Sequence, residues 1–276
     1  MSRLKHALLF ILLATTTLSC ASHRGSGQFT KEKNHFYTEQ KTERQMGEIL
    51  IPEGHVAHPA VILVHGGGWR SRDLGDMNLI AKSLAEHGFL VFNINYRLAP
   101  EFQHPAPIED LKRAHQYLLD LHQSKKIQID PERVALWGYS SGGHTVSYYA
   151  LQADKAGPIS AVVSGGAPYD FTWYPLSPYL LAYMGKYRDE MLDDYIQASP
   201  VTHIHKKAPS FFLYHGIKDR LVEHAQAAAF QAKLMKAGVP TERYDISFWG
   251  HGTAFIFSRE AVKRGILFLK EELKDF

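Results

Sequence analysis

Short apolar runs of strand length alternate with helical patterns from Gly47 to the end of the chain. Residues 60–64 read AVILV and are apolar throughout, as expected of a strand buried on both faces of a parallel sheet. Further strand-like runs occupy residues 89–94, 134–137, 159–164, 211–214 and 243–246. This order predicts an α/β fold, with a mostly parallel central sheet that carries helices on both faces.

Four of the loops that follow these strands carry unusual sequences. They read HGGGW at residues 65–69, GYSSGG at 138–143, HGIKD at 215–219 and WGHG at 249–252. Ligands of open parallel sheets bind beyond the carboxyl ends of the strands, so these four loops should meet on one rim.

The segment GYSSG fits the motif G-x-S-x-G in the strand-turn-helix context that gives the motif its meaning. A serine on such a sharp turn projects its hydroxyl from the rim, and bulky flanking residues would clash, hence Gly138 and Gly142. Centring the motif on Ser141 would require a glycine where Tyr139 stands, so Ser140 is the predicted nucleophile. A glycine-rich structural turn is the alternative interpretation.

A serine hydroxyl needs a base to take its proton, and the base needs an orienting carboxylate. In this fold the chain order should be Ser, acid, His. Asp219 and His251 have that order, and each follows a predicted strand. The rival acids are Asp170 and Asp245, of which Asp245 falls inside a predicted strand, and the rival base is His224, at the start of a predicted helix.

The glycines of HGGGW allow backbone N–H groups to turn inward without being blocked by side chains. Such a loop suits an oxyanion hole, where one lost donor costs about 3–4 kcal/mol of barrier. A phosphate cradle is the alternative, but no G-K-[ST] sequence follows the glycines.

Several motifs together resemble the α/β-hydrolase esterases of the hormone-sensitive-lipase-like group. They are HGGGW, YRLAPE at residues 96–101, HPAPIED at 104–110, GYSSGGH at 138–144, SPVTH at 199–203 and HGIKD. The resemblance runs from about residue 47 to the C-terminus. It implies that Ser140 is the nucleophile, that Asp219 orients the base and that His251 is the base. The N–H groups that it places in the oxyanion hole belong to Gly67, Gly68 and Ser141.

The turn that carries Ser140 reads GYSSG and departs from the G-D-S-A-G that is usual in that group. With Tyr139 and Ser141, the motif resembles two other branches more closely: the acetyl-xylan and feruloyl esterase-like branch and the kynurenine-formamidase-like branch. The substrate is therefore less defined than the mechanism, for which no cofactor and no metal are expected.

About 45 residues separate the strands near Ser164 and Ser210, and they are rich in Tyr, Phe and Trp. Residues 169–200 are interpreted either as a small cap over the active site or as a secondary core beneath a loop. Trp69, Tyr139 and Trp173 are the predicted pocket residues.

The N-terminus has the layout of an export signal: Arg3 and Lys5, then an apolar stretch, then small residues before Cys20. TLSC resembles the bacterial lipobox, in which the cysteine becomes the lipidated first residue. Residues 1–19 are thus a predicted signal peptide, 20–45 a tether and lead-in, and 46–276 the catalytic domain. The protein is expected to be a membrane-anchored lipoprotein facing the periplasm or exterior, with plain secretion as the alternative.

The formal charge of +3 and the absence of a clustered basic face argue against nucleic acid as a partner. The sequence therefore predicts a serine carboxylesterase that acts on short-chain acyl or carbohydrate esters. The alternatives are an arylformamidase or serine peptidase on the same fold, and a non-catalytic binding protein. The oligomeric state is not predicted.

Overall fold

The computed structural model describes residues 25–54, 57–152 and 158–274. Eight strands form one sheet: β1 Phe29–Phe36, β2 Met46–Pro52, β3 His58–Val64, β4 Leu90–Ile94, β5 Ile129–Tyr139, β6 Ala161–Gly165, β7 Ser210–Gly216 and β8 Thr241–Ile246. The α-helices are α1 Asn78–Glu86, α2 Ala106–Gln123, α3 Ser141–Ala150, α4 Pro178–Met184, α5 Leu192–Gln197, α6 Ala225–Lys236, α7 His251–Ile256 and α8 Arg259–Glu272.

The strands lie in the order β1-β2-β4-β3-β5-β6-β7-β8. The pairs β1–β2 and β2–β4 are antiparallel, and every other pair is parallel. Gly138 at the end of β5 lies beside Val64 of β3 and Ser164 of β6. The carboxyl ends of the parallel strands therefore reach one common edge, which is the edge that carries the four loops.

Apolar side chains pack on both faces of the sheet. One face is covered by α2, α3 and α6, through buried residues such as Leu111, Val146 and Phe230. The other face is covered by α1 and α8, through residues such as Leu84 and Ile266. Full burial of each such side chain contributes about 1.5–3 kcal/mol, so both layers hold the sheet rigid beneath its loops.

This architecture confirms the predicted fold class, a mostly parallel sheet with helices on both faces. Within residues 20–45, the predicted tether and lead-in, Phe29–Phe36 forms the antiparallel edge strand β1. The predicted signal peptide and Cys20 lie outside the described residues. In the part of the chain that the structure describes, no helix is both long enough and apolar enough to cross a bilayer.

Candidate active site

The turn between β5 and α3 holds Ser140 in an uncommon backbone conformation, with φ 55° and ψ −123°. Close packing forces the glycines around it: a Cβ on Gly138 would lie 2.3 Å from the carbonyl oxygen of Gly142. A Cβ on Gly142 would lie 2.3 Å from the carbonyl oxygen of Val64. The strand and helix can approach this closely only without side chains at those positions, which is why the serine stands at the tip of the turn.

Three side chains that are far apart in sequence meet at this tip. The Oγ of Ser140 lies 2.8 Å from Nε2 of His251. The Nδ1 of the same imidazole lies 2.6 Å from Oδ2 of Asp219. The loops after β5, β7 and β8 supply these groups, in the order and at the sheet edge that the sequence predicts. In this arrangement Nε2 can accept the hydroxyl proton while Asp219 fixes the ring through its Nδ1–H.

The carboxylate of Asp219 is buried and has several donors around it. Its Oδ1 accepts hydrogen bonds from the backbone N–H groups of Leu221 at 2.9 Å and Val222 at 3.0 Å. Burial alone would raise the pKa of Asp219, but the hydrogen bonds from His215 and His251 outweigh that effect and hold the pKa well below its ordinary value. Asp219 is therefore charged throughout the neutral and mildly acidic range.

The rival residues contact one another or their own loops. Nε2 of His224 lies 2.7 Å from Oδ1 of Asp245, a carboxylate that also pairs with Arg243 at 3.1 Å. The Oδ1 of Asp170 accepts a hydrogen bond from the backbone N–H of Thr172. None of these three rivals contacts Ser140 in the described structure.

The HGGGW loop after β3 borders the same cavity as Ser140. Gly67 and Gly68 have φ values of 114° and 61°, which L-residues with side chains rarely adopt. No acceptor among the described residues receives the backbone N–H of Gly67, Gly68 or Ser141. These donors are the ones that the sequence assigns to an oxyanion hole.

His65 braces this loop from below. Its Nδ1 donates to the carbonyl of Gly66 at 2.6 Å, and its ring stacks on Tyr96 with centroids 4.3 Å apart. Burial lowers the pKa of His65 to about 4, so the imidazole is neutral at physiological pH. The residue supports the loop rather than presenting a charge to the cavity.

A cavity of about 460 Å³ opens above Ser140. Its apolar wall is formed by residues from the segment after β6, the loop after β7 and helix α7. They are Pro168, Tyr174, Tyr179, Leu180, Leu221, Val222, Phe255 and Ile256. Arg72 and Asp76, from the segment after the HGGGW loop, provide a polar wall, with 3.6 Å between the guanidinium and the carboxylate.

The three predicted pocket residues differ in position. Trp69 and Tyr139 line the cavity, although Trp69 is only 2% exposed and stacks on Tyr183 with centroids 4.3 Å apart. Trp173 does not line the cavity and is 44% exposed, so that expectation is wrong. The short turn of helix at Phe171–Trp173 buries Phe171 and directs Trp173 outward.

The aromatic segment after β6 combines the two interpretations of the sequence. Tyr169, Phe171 and Tyr183 are fully or almost fully buried in the core, whereas Tyr174 and Tyr179 line the cavity. Sequence reasoning missed Phe255 and Ile256, because they belong to a six-residue helix whose pattern is too short to detect. It also gave no role to His215, although HGIKD was identified as a rim loop.

Among the described residues, no group of three or more His, Cys, Asp and Glu side chains could hold a metal ion.

A match to a known family model identifies the family of the chain. The family model described as BD-FAE matches residues 48–234, well over half of the chain. The chain belongs to the BD-FAE family. The motif-based resemblance to α/β-hydrolase esterases of the hormone-sensitive-lipase-like group is confirmed.

The proteins that this chain resembles in sequence or in structure include proteins whose names describe ester hydrolases. It is 32% identical over 229 residues to Probable carboxylic ester hydrolase LipM of Mycobacterium tuberculosis, covering 75% of this chain and 52% of LipM. A solved structure titled Bifunctional GH43-CE, from Bacteroides eggerthii, is 25% identical with a TM-score of 0.79, covering 88% of this chain and 38% of that one. A structure titled Truncated form of carbohydrate esterase from gut microbiota has a TM-score of 0.78 at 22% identity, covering 92% and 100% of the two chains, and shows the shared fold. This chain thus spans about half the length of LipM.

Proposed function

We propose that the protein is a serine carboxylesterase that hydrolyses short-chain acyl or carbohydrate esters. The observation that carries the proposal is the 2.8 Å contact between Ser140 Oγ and His251 Nε2, with Asp219 2.6 Å behind the imidazole. The similarity to a probable carboxylic ester hydrolase and to a carbohydrate esterase supports an ester as the substrate.

The proposed reaction is acyl transfer to water in two steps. His251 Nε2 takes the proton of Ser140 as Oγ attacks the ester carbonyl carbon, and the resulting oxyanion is stabilised by backbone N–H groups of Gly67, Gly68 and Ser141. The carbonyl then re-forms, the bond to the alcohol breaks, and His251 returns the proton to the departing oxygen. Water, deprotonated by His251, cleaves the acyl-enzyme and restores the free serine.

The cavity supports a substrate with an apolar part and a hydroxyl-rich part. Tyr179, Leu221 and Phe255 can cover an acyl chain or an aromatic ring. Arg72 can donate to sugar hydroxyls and Asp76 can accept from them. A volume of about 460 Å³ is within the range of small-molecule sites and suits one sugar ring with a short acyl group.

Steady-state kinetics with p-nitrophenyl acetate, N-formylkynurenine and a peptide p-nitroanilide test the class of substrate. An esterase should cleave the acetate ester with a kcat/KM at least tenfold above the values for the formamide and the peptide. A preference for N-formylkynurenine or for the peptide would instead identify an arylformamidase or a peptidase. Ser140→Ala is the control for background hydrolysis.

A variant of the polar wall tests whether this wall binds a hydroxyl-rich part of the substrate. Arg72→Ala should lower kcat/KM for acetylated xylo-oligosaccharides and leave kcat/KM for p-nitrophenyl acetate near the parental value. Arg264→Ala is the matched control, because Arg264 lies on α8 over the Tyr244 ring and neither of these residues lines the cavity. Equal losses on both substrates would argue against a carbohydrate ester.

We propose in addition that the protein is exported and anchored to a membrane through a lipidated Cys20. The basic N-terminus, the apolar stretch and the TLSC sequence support this location. Cys20→Ser should move the protein from the membrane fraction to the soluble exported fraction. An unchanged distribution between the two fractions would contradict lipidation.

A further inference from the structure

A second histidine lies against the carboxylate of Asp219. His215, on strand β7, is fully buried, and its Nε2 is 3.2 Å from Oδ2 of Asp219. The same Nε2 is 2.9 Å from the backbone carbonyl oxygen of Val222. His215 thus touches both the aspartate and the loop that carries it.

The contacts of His215 define where its proton lies. A carboxylate and a carbonyl oxygen both converge on Nε2, and both can only accept, so Nε2 carries the proton. The Nδ1 is buried and has no hydrogen-bond partner among the described residues. A proton on Nδ1 would be an unpaired buried donor, and such a donor costs about 1–3 kcal/mol. The imidazole therefore presents its Nε2–H to both oxygens as an oriented donor.

Two imidazoles share the oxygen Oδ2 of Asp219. His251 approaches it through Nδ1 at 2.6 Å from helix α7, and His215 approaches it through Nε2 at 3.2 Å from the sheet. His251 must move a proton during the reaction, whereas His215 is enclosed and does not reach Ser140. Strand β7 thus supplies a second donor to the same carboxylate oxygen that orients His251.

We propose that His215 is a positioning residue of the hydrolase reaction, which holds the Asp219 carboxylate in the position that His251 requires. The inference rests on the proposed function, because it assumes that His251 activates Ser140. By donating to the carboxylate, His215 withdraws electron density from Oδ2, so that Asp219 orients His251 without binding its proton too tightly.

Other titratable groups face this cluster. His224, from the start of α6, lies with its ring centroid 5.8 Å from that of His215 and pairs with Asp245 of β8. Tyr139 of β5 and Tyr174 from the segment after β6 act electrostatically on Asp219. Burial raises the pKa of both tyrosines, so they stay neutral over the pH range of the test.

The test is the rate at which a fluorophosphonate labels Ser140, measured from pH 5 to pH 9 with the full chain. His215→Leu removes the donor, so the labelling rate at pH 8 should fall by about tenfold, as expected for one lost hydrogen bond to a charged group. The midpoint of the acid limb should rise by about half a pH unit, because a carboxylate with fewer donors stabilises the imidazolium more. His215→Gln, which can return an N–H to the carboxylate, should recover most of both changes.

His224→Leu is the matched control, since it removes a neighbouring imidazole that pairs with Asp245 instead of Asp219. It should leave the rate and the limb unchanged. Circular dichroism melting shows whether each variant is folded. In a folded variant, only a positioning defect should move the midpoint of the acid limb of the labelling rate. An unshifted midpoint in folded His215→Leu, or equal impairment of folded His215→Leu and His215→Gln, would overturn the inference. Labelling of Ser140 without cleavage of any ester would contradict the proposed substrate class and leave this inference standing.

Discussion

The hydroxyl of Tyr139 donates a hydrogen bond to the backbone carbonyl of His251, with 2.6 Å between the two oxygens. The tyrosine ring also packs at 5.4 Å from the His251 ring and 4.8 Å from that of Phe255. The residue next to the predicted nucleophile thus fixes the backbone of the predicted base. A residue first interpreted as part of the substrate pocket connects two elements of the site.

Tyr139→Phe tests this connection. Loss of the hydroxyl leaves the His251 carbonyl without that donor, so stability should fall by about 1 kcal/mol and kcat by about tenfold. Urea unfolding and p-nitrophenyl acetate kinetics measure the two effects. Tyr149→Phe is the control, because it breaks a buried bond to His115 at 3.0 Å and neither of these two residues lines the cavity. Loss of stability without loss of kcat in both variants would contradict a positioning role for Tyr139.

The rate should depend on one proton in the acidic range. The pKa of Asp219 is held far below its ordinary value, so the carboxylate stays charged as the pH falls from 8 to 5. The group whose protonation stops the reaction is then the general base, because Nε2 of His251 must be free to accept the proton of Ser140. Log kcat/KM should therefore decrease with a slope of one toward acidic pH. A rate that stays flat from pH 8 to 5, or a slope of two, would contradict this assignment.

Gly68→Ala should damage the loop that borders the cavity. A Cβ there would lie 2.4 Å from a ring carbon of Tyr179, and the φ of 61° costs a residue with a side chain about 1 kcal/mol. We expect kcat/KM to fall by at least tenfold if the N–H of Gly68 is displaced. Tyr179→Ala removes the clash. The loss of kcat/KM caused by Gly68→Ala should therefore be smaller in the Tyr179→Ala background than in the parental protein. No recovery in the double variant would rule out the clash as the cause.

The backbone of Ser140 predicts an unusual order of stability. A residue with φ 55° and ψ −123° is strained unless it is glycine. Ser140→Gly should therefore be more stable than Ser140→Ala by about 1 kcal/mol, although glycine normally destabilises folded chains. Urea denaturation of the two inactive variants measures the difference. An alanine variant at least as stable as the glycine variant would show that the turn is unstrained.

The sequence predicted the parallel part of the sheet and the contents of its rim because both depend on local patterns. AVILV and its equivalents are apolar on both faces, and topology then brings their carboxyl ends together. Strand β1 could not be predicted in this way. It reads FTKEKNHF and is mostly exposed at the edge of the sheet, so its sequence has no apolar pattern.

The sequence predicted which residues form the candidate site, but not which other side chains contact those residues. Ser140, Asp219 and His251 stand in motifs whose order in the chain is informative. His215 contacts Asp219 because the loop after β7 folds back on its own strand. The spacing of apolar residues in the sequence does not predict the path of that loop. Trp173 shows the same limit, since a short helical turn decides which neighbouring aromatic side chain faces inward.

The role of Ser140 is tested most directly by mass spectrometry of the full chain after reaction with a fluorophosphonate. We expect one adduct per chain, on the peptide that contains Ser140. We expect no adduct in Ser140→Ala, and labelling slowed by at least a hundredfold in His251→Ala, which loses its general base. An adduct on another residue, or ester hydrolysis that persists undiminished in Ser140→Ala, would contradict the claim that Ser140 is the nucleophile.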